Sequence, residues 1–69
     1  MRWEQIVGIN IRRIRTEREL SQEEVAYRVG IDVSSLGQIE RGRRNPTIGV
    51  LGRIADALSA PLVDLLKHD

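Results

Sequence analysis

The 69-residue chain has no cysteine, one histidine, and no uninterrupted apolar run longer than three residues. Its charge is also nearly balanced, with eleven Lys+Arg against ten Asp+Glu, a net of +1 that identifies no partner by itself. Each shortage excludes something. Without cysteine there is no disulfide and no thiolate metal site, nothing argues for an oxidising compartment, and the cytoplasm is the default expectation. Apolar runs of two or three residues fall far short of the ~20 needed to cross a membrane as a helix. Residues 1–14 carry Arg2, Glu4, Arg12 and Arg13, so they do not read as a secretory leader. The lone His68 is penultimate and reads as solvated tail rather than as base or ligand. Gly37, Gly42, Gly49 and Gly52 form no phosphate loop, and the adjacent Glu23 and Glu24 point to different helix faces. No enzyme, metal, cofactor or small-molecule ligand is expected.

What the chain does contain is helical text. Trp3, Val7, Ile11 and Ile14 step by four, four and three, which places them on one face of a helix over about residues 2–18. Arg13 with Glu17 and Arg15 with Glu19 stand four apart on its polar side, where such pairs add a few tenths of a kcal/mol. Leu20 ends this helix. Ser21-Gln22-Glu23-Glu24 is a capping box that starts a second one, closed nine residues later by Gly30. Asp32 is the expected cap of a third helix running through Leu36 and Ile39 to Gly42, with Ala26 as the small residue at the crossing. After the loop Arg43-Arg44-Asn45-Pro46, Thr47 caps a fourth helix with Ile48, Leu51, Ile54, Ala55 and Leu58 inward. Gly49 and Gly52 weaken it and invite a packing or flexibility explanation. Pro61 opens a fifth, short helix with Leu62, Leu65 and Leu66 apolar. The reading is all-α: one compact domain of five helices over residues 1–69, without repeats or linkers.

The run Leu20-Ser21-Gln22-Glu23-Glu24-Val25-Ala26-Tyr27-Arg28-Val29-Gly30-Ile31, followed by Leu36 and by Ile39 through Thr47, resembles the xenobiotic-response-element family of helix-turn-helix regulators. Lambdoid phage repressors and Cro proteins belong to that family. The similarity extends to Ile11–Arg15 before the run and Ile54–Leu58 after it. Ala26-Tyr27, Leu36-Gly37 and Arg44-Asn45-Pro46-Thr47 look like the controller proteins of restriction-modification systems within it.

The resemblance implies a helix-turn-helix at about residues 21–41 whose third helix enters the major groove of double-stranded DNA. Val33, Ser34 and Gln38 would then face bases: Gln pairs with adenine, Ser with several edges, and Val touches a thymine methyl. Gly37 departs from the polar residue usual at its position, so sequence preference would lean on few contacts and on DNA shape. Gln22 matches a phosphate-gripping position at a helix start, and Arg41, Arg43, Arg44 and Asn45 lie in the loop that faces the backbone. Residues 1–53 hold ten Arg against seven acids, a balance of +3, while residues 54–69 stand at −2.

Glu40 matches a family position that pairs with an arginine of helix 1, here Arg15, and both are expected to be structural. A domain this small reads one half-site, so a homodimer on a near-palindromic operator is expected, with half-sites ~34 Å apart. Leu62, Val63 and Leu66 are its candidate interface; Val63 stays open between core and interface, and Leu65 is expected in the core. A second reading is a protein-interaction module of antitoxin type that retains the helix-turn-helix scaffold.

Overall fold

The computed structural model describes residues 1–68, so Asp69, counted above in the acidic balance, lies outside the described residues. Four α-helices follow in order: α1 Trp3–Glu17, α2 Gln22–Val29, α3 Val33–Glu40 and α4 Ile48–Ala57, with a 3₁₀ turn at Leu62–Leu65. There is no strand among the described residues. No helix among them is long and apolar enough to cross a membrane.

The local signals act as their chemistry requires. Ser21 Oγ accepts the Glu24 N–H at 3.0 Å while the Glu24 carboxylate accepts the Ser21 N–H at 3.0 Å, closing the capping box that starts α2. Gly30 takes the left-handed φ of +85° and its N–H reaches the Ala26 carbonyl at 2.8 Å, which ends α2 sharply enough for α3 to turn across it. Thr47 caps α4 by accepting the Val50 N–H at 3.1 Å. Asp32 occupies the N-cap of α3 but its side chain makes no capping bond, so only its extended backbone starts that helix.

The core is built from Val7, Ile11 and Ile14 of α1, Val25, Ala26 and Val29 of α2, Leu36 and Ile39 of α3, Leu51, Ile54 and Ala55 of α4, with Leu58 and Leu65. Ile11, Val25, Leu36, Ile54, Leu58 and Leu65 are its fully buried members, and burying each such side chain contributes about 1.5–3 kcal/mol. Trp3 shares the α1 face with them yet stays 62% exposed, because α3 crosses α1 one turn further on, at Gly8. Ile6 is buried outside this core cluster, beside Met1 and Ile9.

That crossing is tight. A Cβ placed on Gly8 would stand 2.5 Å from the Ile39 carbonyl oxygen and 2.6 Å from that of Glu40, so the backbones of α1 and α3 meet directly. Gly42, at φ +73°, packs its backbone on Gln5 of α1 and turns the chain away from α3.

The fifth element is not an α-helix. Between Pro61 and Leu66 the backbone closes i to i+3 bonds, Asp64 N–H to Pro61 and Leu66 N–H to Val63 at 3.0 Å each, and four residues suffice to drive Leu65 into the core. Asn10, buried on α1, then ties this turn down: its Nδ2 donates to the carbonyls of Leu65 and Lys67 at 2.9 Å each, while Arg13 donates to its Oδ1 at 3.2 Å. The Arg13–Glu17 pair forms at 3.7 Å. The expected Arg15–Glu19 pair does not, because α1 ends at Glu17 and Glu19 turns to φ +56°, off the helix surface.

Candidate nucleic-acid interface

The outer side of α3 and the elements beside it gather the residues singled out above. Leu36, Ile39 and Glu40 face inward, which leaves Val33, Ser34 and Gln38 on the solvent side of an eight-residue helix. All three are exposed, Val33 at 43%.

On one flank lies an open cleft of about 630 Å³, lined by Arg12 and Arg15 of α1, Ser21, Gln22 and Glu23 at the start of α2, and Val33, Glu40 and Arg41 of α3 and its end. Three helices converge there, and their polar groups are ordered by one carboxylate. Glu40, buried, accepts from Arg15 Nε at 2.6 Å through Oε2, and from Arg15 Nη2 and Gln22 Nε2 at 3.0 Å each through Oε1. Arg15 Nη1 donates in addition to the Leu20 carbonyl at 2.9 Å. A two-point grip of this kind is strong and directional. It neutralises the charge of Arg15 and holds the Gln22 amide at the cleft.

On the other flank, Arg43, Arg44 and Asn45 stand exposed on the loop between α3 and α4. They do not line the cleft. Arg44 is held back against α3, with Nη1 donating to Ser35 Oγ at 3.0 Å. Several other arginines are engaged elsewhere: Arg2 with Glu4, Arg13 with Glu17, and Arg18 and Arg28 with the Ser59 and Ala57 carbonyls near the end of α4. Among the described residues Arg12, Arg41, Arg43 and Arg53 make neither an ion pair nor a side-chain hydrogen bond. Three of these four border the outer face of α3.

Two members of this arrangement escape a reading by motif. Arg12 stands three residues before Arg15 on the same side of α1, a spacing that places it in the cleft once Arg15 is fixed by Glu40. Ser35 carries no signal of its own, since its role depends on a loop residue nine positions away. Of the apolar residues set apart as an interface, Val63 is 59% and Leu66 36% exposed, whereas Leu62 is half-buried against the core.

Comparison with known proteins places this architecture. The Helix-turn-helix family model matches residues 11–65. The HTH-type transcriptional regulator y4dJ of Sinorhizobium fredii is 46% identical over 61 residues, covering 88% of this chain and 79% of that protein. Control protein C.SmaI of Serratia marcescens is 35% identical over 93% of this chain and 76% of its own length. The crystal structure of the restriction-modification controller protein C.AhdI from Aeromonas hydrophila superposes with a TM-score of 0.87 at 35% identity, covering 90% of this chain and 94% of that one. With the α2–turn–α3 unit in place and a family match over most of its length, the chain belongs to the helix-turn-helix family of transcriptional regulators, in its xenobiotic-response-element, Cro-like branch.

Proposed function

We propose that this protein is a sequence-specific regulator of transcription that binds double-stranded DNA as a homodimer, with α3 in the major groove of a near-palindromic operator. The observation that carries the reading is the outer face of α3, where Val33, Ser34 and Gln38 are exposed between two sets of uncommitted cations, Arg12 and Arg41 on one side and Arg43 on the other. With its side chains a helix is about 10–12 Å across, which fits a major groove ~12 Å wide. Gln38 offers a paired donor and acceptor to adenine, Ser34 a hydroxyl, and Val33 a methyl surface for thymine.

Gln22, Arg41, Arg43, Arg44 and Asn45 supply the phosphate contacts that set orientation, and Arg15 with Glu40 is structural. Residues 1–69 act as one domain, and Leu62, Val63 and Leu66 supply the contact between two copies. Its place is the cytoplasm, its action is binding rather than catalysis, and it needs no cofactor. The relatives named as regulators and controller proteins support this reading.

The test is selection of bound duplexes from a random library, followed by titration of the selected duplex from 50 to 200 mM salt. A palindromic motif with half-sites about ten base pairs apart, and an affinity falling 10³–10⁵-fold over that range, is expected for roughly 6–10 phosphate contacts. No enriched motif at low salt would replace this reading with a protein-interaction module of antitoxin type.

A further inference from the structure

Gly37 sits where nothing in the backbone asks for glycine. It lies inside α3, has an ordinary helical φ, and belongs to neither of the positive-φ positions, Gly30 and Gly42. It also differs from Gly8, whose missing Cβ makes room for the backbone of another helix. The three atoms nearest to a Cβ on Gly37 are side-chain nitrogens: Arg41 Nη1 at 3.4 Å, Arg41 Nη2 at 3.7 Å and Gln22 Nε2 at 3.8 Å. Gly37 is nevertheless buried, although it lies beside the outward face of its helix. Its cover is the Arg41 guanidinium and the Gln22 amide, folded over bare backbone.

These two groups are both donors. Gln22 Nε2 uses one hydrogen on Glu40 and keeps a second, and the Arg41 guanidinium has no acidic partner among the described residues. Glu23 lines the same cleft but pairs with neither. Arg41 and the second hydrogen of Gln22 Nε2 have no side-chain acceptor among the described residues, which fits an incoming anion, and the cation Arg12 faces the same space.

We propose that Gly37 is a positioning residue for DNA binding: a side chain longer than a methyl group there would take the space in which Arg41 lies, and this seat aims Arg41, together with Gln22, at one phosphate of the DNA backbone. The inference rests on the DNA-binding reading above and assigns to Gly37 the positioning of a phosphate contact named there. Glycine here lowers helix propensity and in exchange holds a guanidinium close against the groove-facing surface. A Cβ at 3.4 Å stands in ordinary van der Waals contact with the tip of Arg41 and leaves it in place, whereas a leucine side chain would fill the seat.

The experiment uses the full chain and the duplex selected above. Gly37→Leu is expected to raise Tm by about 4–8 °C, because a good helix former replaces glycine, while weakening binding about tenfold on all sequences alike. The slope of log affinity against log salt should fall by about 0.9, the signature of one lost phosphate contact. Gly37→Ala should also raise Tm, with binding and salt slope unchanged, because its methyl group leaves Arg41 in place. In an Arg41→Gln background neither substitution should weaken binding further.

Binding and salt slope unchanged in Gly37→Leu would overturn the proposal, as would a fall in Tm or an equal loss in the Arg41→Gln background. Failure of the unsubstituted chain to bind any duplex would instead remove the regulator reading itself, and the phosphate contact with it.

Discussion

Across the junction of α1 and α3, the Arg15 guanidinium holds the Glu40 carboxylate at two points, Nε to Oε2 at 2.6 Å and Nη2 to Oε1 at 3.0 Å. Both side chains are largely withdrawn from water, at 12% and 2% exposure, so neither charge has solvent to fall back on. Removing one partner of such a pair costs about 3–5 kcal/mol, comparable with the whole stability of a domain this size. Glu40→Ala should therefore be unfolded or nearly so at 25 °C by circular dichroism. A melting curve that matched the unsubstituted protein would mean that the pair contributes nothing to stability.

The α1–α3 crossing makes a second prediction that separates crowding from helix propensity. Gly8→Ala would press a methyl group on the Ile39 and Glu40 carbonyl oxygens, neither of which can move without shifting α3. A net loss of about 1–3 kcal/mol is expected, in spite of the better helix former. Gly52→Ala, where a Cβ meets nothing within 4 Å, should instead gain up to about 1 kcal/mol. Urea unfolding of the two variants measures both signs at once.

Asn10 is the polar residue that holds the last turn against α1. Replacing it by leucine keeps much of the volume but leaves the Leu65 and Lys67 carbonyls without their donor. The expected cost is about 1–3 kcal/mol, from buried polar groups losing their partner. Hydrogen exchange should show faster opening at the 3₁₀ turn first. Uniform protection throughout the variant would contradict the role assigned to Asn10.

The capping box of α2 responds to acid. The Glu24 carboxyl is held below its ordinary value of 4.5, chiefly by the Ser21 backbone N–H and then by the Ser21 hydroxyl. A lowered carboxylate contributes stability that is present above 4.5 and disappears as the pH falls through the depressed value. Comparing Tm of the unsubstituted chain and Glu24→Ala, the gap between them should be constant near neutral pH and narrow steadily below about pH 4.5. A gap that stayed constant down to pH 2 would remove the carboxylate from the account.

Much of this molecule was legible before any fold was known, and the reason is range. Ser21 with Glu24, Gly30 with Ala26, and Thr47 with Val50 each act over three or four residues, so their chemistry is complete within a single turn. The helical period likewise set Val7, Ile11 and Ile14 on one face, and the resemblance over Leu20 to Thr47, with Ile11–Arg15 before it, carried the family and the Arg15–Glu40 pair. The local signals do not depend on what crosses what, whereas the Arg15–Glu40 pair, 25 residues apart, was legible only through the family resemblance.

The tertiary structure decided the rest, because a periodic pattern shows which residues share a face but not how much of that face another element covers. Trp3 lies on the core face and remains in solvent, since the crossing comes a turn later at Gly8. Glycines at positions 8, 37 and 52 read alike in the chain, yet one admits a backbone, one is covered by a guanidinium, and one is open. Arg12, Arg15, Arg41 and Arg44 are equally charged in sequence. Only the packing of α1, α2, α3 and the loop after them turned Arg44 back to Ser35 and, among the described residues, left Arg12 and Arg41 without an acidic partner. A long, flexible side chain goes where the nearest acceptor stands, and that acceptor is supplied by distant parts of the chain.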